Sequence, residues 1–474
     1  MFSTLTTGVD GASRPIATQI NDMIASAHAI SSGTEHPLVK TDLQGREFLQ
    51  FNAAAWAAFT TATLIDYRSV CIYFVGRPHR LPAGGSAITN FVAIKDYATF
   101  AHMNAAMSSA TPYLRVFNGA TNTATGREKL VVGSQLQVMV TRSSGTQIKC
   151  WVNENSVIPA GSATAGTQTN AGGYIGTFSG SAPFGGFDLY EILIYTSGIA
   201  DADVQGTVPG DPVLGGNIGV LMDYYNIAPI ARSLNLEVDS ISFGFSASYG
   251  NGGNVPSGDS LGVTLGRLMA DNDVRIVTTA ITGNTASNAT SRRDATSSMF
   301  RTGGGFVSGW QNDIHLLVGT NDQSEASASG SPVWVEAPNT VARADEAFDR
   351  ANGIIALANT VTNGYLQRGA NKVYFSSVIA RNSAPHMTAL TQMRTRLLDP
   401  AFLVSCDAGP GGTYDGKVVV NPLHLWDVGG TKIFELATNA ADTTYYQTDG
   451  IHPKAAGTYQ YALSVLAATG LTAA

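Results

Sequence analysis

Charged side chains are scarce in this chain of 474 residues, because Asp, Glu, Lys and Arg together make up 13% of it. The net charge is -7 and no run of Lys or Arg occurs, so the electrostatic footprint of a nucleic-acid-binding protein is missing. The three cysteines, Cys71, Cys150 and Cys406, lack the spacing of metal ligands, and an odd number makes no disulfide framework. This scarcity excludes nucleic acid as a partner and predicts idle, buried thiols.

Long apolar runs are also missing. No stretch of about 18 apolar residues occurs, so the sequence predicts no membrane insertion. The opening residues, MFSTLTTGVDGASRPIATQINDM, hold no basic segment followed by an apolar one, so they do not resemble a signal peptide. We therefore expect a protein that is made in the cytoplasm and leaves it, if at all, by assembly or lysis.

What the chain does contain is length, glycine and small polar residues. Its length suggests two domains, and 51 Gly residues with abundant Ala, Ser and Thr favour strands and turns with uncharged polar faces. Residues 1–40 are polar and irregular, which suits an N-terminal arm or attachment segment. Residues 41–205 carry strand signals, 206–234 predict a linker with a short helix, and 235–474 alternate strands with helices.

The clearest strand signal in the first half is LQVMVTRSSGTQIKCWV, where apolar and polar residues alternate on both sides of a turn at 143–145. It predicts a hairpin with one buried face, and residues 41–205 as a whole predict an all-β jelly-roll sandwich. The closing FGGFDLYEILIYTSGIADADV resembles the last strand of concanavalin-A-like lectin/glucanase (laminin-G-like) sandwiches. Trp151 alternates with Cys150, so it is either exposed for stacking on a sugar or packed on a neighbour.

In the second half the apolar runs SISFGF, VRIVTTAI, DIHLLVG and KVYFSSVIA alternate with helical stretches. The alternation predicts an α/β three-layer domain with a parallel sheet, whose reactive groups sit at the carboxyl ends of strands. The segment LEVDSISFGFSASYG predicts a strand from about Leu236, then a turn through Gly244-Phe245-Ser246 that Gly250 closes. Ser246 is therefore the predicted nucleophile.

The letters GDSL, which name a large esterase family, stand at 258–261. No strand signal precedes Ser260, and the residues after it, LGVTLGRLMADN, predict a helix. Asp259 and Ser260 are thus predicted to cap that helix rather than to react.

Four blocks in order resemble the SGNH hydrolases, the group to which the GDSL esterases belong. They are GFSASYG with Ser246, AITGNTAS with Gly283, LLVGTND with Asn321, and TDGIHPKAAGTYQYA with Asp449 and His452. The resemblance spans about 235 residues and implies an SGNH hydrolase domain. One departure is Phe245, which stands where the family has an Asp before its Ser.

By this resemblance Ser246, His452 and Asp449 are the catalytic residues. His452 takes the Ser proton as general base, and Asp449 fixes the imidazole tautomer. The oxyanion hole consists of the N–H groups of Ser246 and Gly283 and the side-chain amide of Asn321. Such acyl transfer needs no metal and no organic cofactor.

Two other histidines compete for a role. His315 in DIHLLVG is predicted to be a strand residue, while His424 and Asp427 in HLWDV form a rival dyad without a nucleophile or oxyanion block.

A lectin-like sandwich before an SGNH hydrolase implies a carbohydrate-directed serine esterase that removes O-acetyl groups from a polysaccharide bound by the first domain. The strand-dense composition also fits a bacteriophage virion protein such as a tail spike, which would be a homo-oligomer bound to other virion proteins. The alternative is a non-catalytic glycan-binding or structural protein with a degenerate hydrolase domain, which Phe245 favours. A lipase lacks support, because no apolar lid-like insertion is visible.

Overall fold

The computed structural model divides the chain into two compact units, Met1–Pro229 and Ile230–Ala474. It describes residues 4–9, 15–21, 28–31, 36–42, 44–51, 57–66, 70–78, 88–94, 101–108, 111–118, 121–126, 136–144, 147–162, 169–176, 187–195, 199–209, 211–229, 231–239, 241, 260–271, 273–278, 283, 285–294, 310–324, 334–359 and 364–473. No helix in these ranges is long and apolar enough to cross a bilayer.

Antiparallel strands build the first unit, as the composition predicts. The strands are β1 (Thr4–Val9), β2 (Pro15–Asn21), β3 (His28–Ser31), β4 (Leu38–Thr41), β5 (Glu47–Phe51), β6 (Ala57–Asp66), β7 (Cys71–Pro78), β8 (Ile88–Ile94), β9 (Ala101–Ser108), β10 (Thr111–Asn118), β11 (Thr121–Gly126), β12 (Gln137–Ser144), β13 (Gln147–Val152), β14 (Asn155–Ser162), β15 (Thr169–Ile175) and β16 (Phe187–Tyr195). Two helices follow, α1 (Asp201–Gln205) and α2 (Gly216–Tyr224).

These strands hydrogen-bond in the order β11-β10-β9-β8-β15-β6-β3-β2-β4-β5-β16-β7-β12-β13-β14, and β1 pairs with β2. The two ends of this order, β11 and β14, are in contact, so the sheet bends back on itself. Residues 1–40, where we expected an arm, contain three strands of this sheet, and β3 pairs with β6. Their backbone groups are thereby satisfied within the sheet.

The predicted hairpin is present, and both of its faces are buried. β12 pairs with β13 in the register Val140↔Trp151, so Trp151 shares a face with Val140. That face packs against Ile218 and Leu221 of α2, within the segment at 206–234 where we expected a linker with a short helix. Alternation alone predicted one buried face, because a covering helix from a distant segment leaves no mark in the strand sequence.

The second unit alternates strands and helices. Its strands are β17 (Arg232–Val238), β18 (Val274–Thr278), β19 (Gln311–Leu317), β20 (Lys372–Ser376), β21 (Val418–Asn421), β22 (Asp427–Val428) and β23 (Thr431–Lys432). Its helices are α3 (Leu261–Leu268), α4 (Ala286–Asp294), α5 (Val341–Asp349), α6 (Ile354–Ala358), α7 (Ala384–Leu398), α8 (Pro400–Ser405), α9 (Ala437–Ala440) and α10 (Ala455–Thr469), with a 3₁₀ turn at Leu423–Leu425.

Five of these strands form a parallel sheet in the order β18-β17-β19-β20-β21. Alternate residues of β19 enter different cores: Ile314 and Leu316 join the cluster that holds α5 and α7, and Leu317 joins the one that holds α3 and α10. The sheet therefore has helices on both faces, which confirms the predicted α/β domain. Numbered within the unit, the strand order is 2-1-3-4-5, so the topological switch point lies between β17 and β19.

A prediction for the first unit concerns Gly206, which ends α1 with a φ of +66°. A Cβ there would lie 1.8 Å from the carbonyl oxygen of Leu214, whereas a Cβ on Gly45, with a φ of +77°, would meet nothing within 4 Å. Gly206→Ala should therefore lower the unfolding temperature clearly more than Gly45→Ala, which pays about 1 kcal/mol for its backbone conformation alone. Thermal unfolding of the two variants measures the difference. Equal decreases in unfolding temperature would mean that the loop at residue 214 moves aside at no energetic cost.

Candidate active site

The carboxyl edge of the parallel sheet carries the polar residues of this unit. Because all five strands run in the same direction, the segments that follow them meet at one edge, where α/β domains bind their ligands. Asp239 follows β17, residues 319–322 follow β19, and Ser377 follows β20. Gly283 lies between β18 and α4.

Asp449 and His452 form a hydrogen-bonded pair in the turn that leads towards α10. Nδ1 of His452 donates to Oδ2 of Asp449 at 2.7 Å. Oδ1 of Asp449 accepts the backbone N–H groups of Ile451 at 2.9 Å and of His452 at 3.1 Å. Partial burial raises the pKa of Asp449, but these three hydrogen bonds outweigh it, so the pKa lies below its usual value. The pair is thus a carboxylate that orients an imidazole through Nδ1.

Asp239 is fully buried directly after β17. One of its carboxylate oxygens, Oδ1, accepts the backbone N–H of Ile241 at 2.9 Å. Burial raises the pKa of Asp239 to about 7, while the Ile241 N–H and the charge of Arg381 lower it and the charge of Asp322 raises it. At neutral pH this carboxyl is therefore divided between its protonated and ionised forms.

The loop that follows β20 lies against the turn of the histidine pair. The backbone N–H of Asn382 donates to the carbonyl oxygen of Gly450 at 2.9 Å. The charges of Asp239 and Asp449 both act on the neighbouring Arg381, whose side chain is 9% exposed. Arg381 is therefore coupled electrostatically both to Asp239, at the end of β17, and to Asp449, in the histidine turn.

The block after β19 is anchored through Asp322, which is also buried. Its carboxylate accepts the N–H of Ala286 at 2.9 and 3.2 Å, at the start of α4. A carboxylate at this position stabilises the positive end of the helix. Gly283, just before this helix, is exposed with a φ of +74°, and Asn321 beside Asp322 is half-buried. The Asp322 contact therefore links the two segments that carry the predicted oxyanion residues.

The predicted nucleophile Ser246 and its neighbour Phe245 lie outside the described residues. The strand before them differs from the prediction, since it runs from Arg232 to Val238 instead of starting near Leu236. The chain position directly after this strand belongs to Asp239 and then Ser240.

Ser240 also lies outside the described residues, but its two neighbours in the chain are described. The Asp239 carboxylate accepts the Ile241 N–H, so this hydrogen bond joins the two residues on either side of Ser240 in the chain. An Asp-Ser pair after the first strand is what the first SGNH block contains, with Val238 in place of its Gly. Ser240 is therefore a further candidate nucleophile beside Ser246.

The remaining candidates pack inside the protein. Ser260 is 1% exposed at the N-cap position of α3, where its carbonyl accepts the N–H of Thr264 but its side chain makes no capping bond. His424 does not use Asp427: its Nδ1 lies 2.7 Å from Oγ of Ser377, and burial lowers its pKa to about 4. His315 is fully buried in β19 and burial lowers its pKa to about 3.

In the first unit Trp151 is 2% exposed, and its Nε1 donates to Oε1 of Gln205 at 2.9 Å. This indole is a packing residue and is not available to stack on a sugar. The three cysteines are free and buried. Within the described ranges, no group of three His, Cys, Asp or Glu side chains could hold a metal ion.

Neither a family model nor a curated protein matches this chain. Among solved structures, domain 4 of the GH43 extracellular arabinanase AbnA from Geobacillus stearothermophilus, in complex with arabinotriose, is 15% identical over 36% of this chain and 84% of its own, with a TM-score of 0.30. A GH54 α-L-arabinofuranosidase is 11% identical over 40% of this chain and 49% of its own, with a TM-score of 0.33. The sialidase of Trypanosoma rangeli in complex with sialic acid is 14% identical over 41% and 30%, with a TM-score of 0.30.

This chain thus spans about half of the arabinofuranosidase and less than a third of the sialidase. All three neighbours are carbohydrate-active proteins. Because these TM-scores are low, the likeness gives no evidence about the function of the present chain.

The raised pKa of Asp239 generates a prediction about stability. Between pH 4 and pH 7 the folded protein keeps a proton on Asp239 that the unfolded chain has lost, so Asp239 makes stability fall as the pH rises through this window. Asp239→Asn removes that dependence. Between pH 4 and pH 7 its free energy of unfolding should therefore rise by about 4 kcal/mol relative to that of wild type. Denaturant unfolding at several pH values measures the gain. The exposed Asp427→Asn is the control, and a constant difference between Asp239→Asn and wild type would show that Asp239 ionises normally.

Proposed function

We propose that the second unit is a serine ester hydrolase of the SGNH type. The observation that carries the proposal is the 2.7 Å hydrogen bond from Nδ1 of His452 to Asp449, made in a turn that the loop after β20 contacts through Asn382 and Gly450. A carboxylate bound to Nδ1 fixes the tautomer in which Nε2 can take a proton from a hydroxyl group. It also stabilises the imidazolium that forms during the reaction.

We propose Ser240 as the nucleophile and keep Ser246 as the alternative. Ser240 is favoured by its place two residues after the last residue of the first strand and directly after Asp239, whose carboxylate accepts the Ile241 N–H. Ser246 is favoured by the glycines on both sides of it, Gly244 and Gly250. If Ser240 is the nucleophile, Asp239 supplies the carboxylate that stands before the Ser in the SGNH family and that Phe245 does not provide.

The proposed reaction is acyl transfer in two steps. The serine oxygen attacks the ester carbonyl while His452 takes its proton, and the alcohol then leaves with that proton. Water hydrolyses the seryl ester by the same route. The negative oxygen formed in each step would be bound by the N–H groups of the serine and of Gly283 and by the side-chain amide of Asn321, each worth about 3 to 4 kcal/mol.

We propose an O-acetylated polysaccharide as the substrate, with the first unit as a concanavalin-A-like sandwich that holds the glycan. Support comes from the strand-rich, weakly charged composition and from the sandwich pattern of the sequence. Carbohydrate is also the ligand class of the structural neighbours, although their low scores add no weight. The same composition supports a homo-oligomeric virion protein of a bacteriophage, associated with other virion proteins.

The nucleophile is tested with Ser240→Ala, Ser246→Ala and Ser260→Ala, assayed beside wild type on p-nitrophenyl acetate and on an acetylated polysaccharide. We expect Ser240→Ala to lower kcat by at least about 1,000-fold while the other two variants keep most of the activity. Loss in Ser246→Ala alone would restore the first assignment. If wild type is inert on both substrates, the non-catalytic glycan-binding or structural protein becomes the better explanation.

The histidine pair is tested separately from the nucleophile. Asp449→Asn keeps the shape of the turn but favours the wrong imidazole tautomer, so kcat should fall by about 1,000- to 10,000-fold. Asp427→Asn is the matched control, because its exposed carboxylate accepts the N–H of Gly430 and does not orient a histidine. A wild-type kcat in Asp449→Asn would show that Asp449 does not orient the catalytic imidazole.

A further inference from the structure

Arg381 is a buried charge whose surroundings call for an explanation. Its side chain is 9% exposed, and its Nε is buried without a hydrogen-bond partner among the described residues. Taking a guanidinium out of water costs several kcal/mol unless opposite charges lie close by. Burial lowers the pKa of Arg381, and the charges of Asp239 and Asp449 oppose that change.

These two carboxylates belong to different parts of the proposed site. Asp239, which precedes Ser240 in the chain, accepts the Ile241 N–H at 2.9 Å. Asp449 holds the imidazole of His452 at 2.7 Å. The two aspartates lie far apart in the sequence, and each accepts a backbone N–H from a residue two positions later in the chain.

The backbone next to Arg381 is fixed against the histidine turn. The N–H of Asn382 donates to the carbonyl of Gly450, and a Cβ on Gly450 would lie 2.4 Å from Cβ of Asn382. The loop after β20 therefore touches the turn between Asp449 and His452 directly. This contact fixes the backbone beside Arg381 at the histidine turn, and Asp239 and Arg381 follow strands that end at the same edge of the parallel sheet.

From this arrangement we propose that Arg381 is a positioning residue that ties Asp239, at the carboxyl end of β17, to the turn carrying Asp449 and His452. The inference rests on the proposed function and deepens it. A nucleophile and its base react only when they are held within hydrogen-bond reach, and misplacement by about 1 Å can cost 100-fold in rate. Arg381 would touch neither substrate nor the reacting atoms, and would act through the two aspartates.

Asp322 and His386 are further ionisable groups, among the described residues, that are coupled to this cluster. Asp322 acts on Asp239 and disfavours its ionisation, while Arg381 favours it. Arg381 also lowers the pKa of His386, together with the burial of that histidine, which is the larger cause. Removing the charge of Arg381 should therefore raise the pKa of Asp239 further, by about one unit or more.

The test compares Arg381→Gln and Arg381→Lys with wild type in the full-length chain. For Arg381→Gln we expect kcat to fall by about 10- to 100-fold with KM within about threefold, and the acid limb of the pH profile to move up by about one pH unit. Arg381→Lys should restore the pH profile and part of kcat, because it returns the charge without the planar fork. Arg396→Gln, which breaks ion pairs with Asp345 and Asp349, is the control and should leave all three quantities unchanged.

A second readout does not depend on activity. The ¹³C signal of the Asp239 carboxyl, assigned by its loss in Asp239→Asn, should titrate at higher pH in Arg381→Gln than in wild type. An unchanged midpoint overturns the proposed tie, as does an active Arg381→Gln enzyme with wild-type kcat and pH profile. An inert wild type overturns the proposed function instead, and the Asp239 midpoint then still decides whether Arg381 acts on this turn.

Discussion

Parallel pairing of β17 to β21 is the constraint on which the proposed site depends. Parallel neighbours must all end at the same edge, so segments that are distant in the sequence are brought together there without any attraction of their own. The order 2-1-3-4-5 also separates the connections that leave β17 and β19 to opposite faces, which opens the switch point between them. Asp239 follows the first of these strands and Asn321 the other.

The polar groups at this edge are costly to bury and therefore depend on one another. Asp239 and Arg381 are both buried, and each would be unfavourable alone. Asp322 is buried as well, but it is matched to the N–H groups at the start of α4. Burial raises the pKa of Asp239, and the charge of Arg381 offsets only part of that rise, so the pKa stays at about 7. Shifted pKa values of this kind are common in reactive sites.

Short-range features were predictable from the sequence. The Asp449–His452 pair spans one turn, so its hydrogen bond follows from local geometry, and the strand-helix alternation was strong enough to predict the parallel sheet. The start of β17 was not predictable from the sequence, because Asn235 and Glu237 interrupt its apolar pattern. Both of these polar residues are fully buried in the structure. A strand predicted from about Leu236 ends near the turn at Gly244-Phe245-Ser246, which is why the sequence favoured Ser246.

By itself the sequence determined the two kinds of unit, the blocks around Gly283 and Asn321, and the Asp449–His452 turn, since each depends on composition or on neighbours a few residues away. Only the tertiary structure decided that α2 covers Trp151 and that Arg381 lies near both Asp239 and Asp449. These contacts join segments that no local pattern relates. They arise from sheet order and packing, which depend on the whole unit rather than on any short stretch of it.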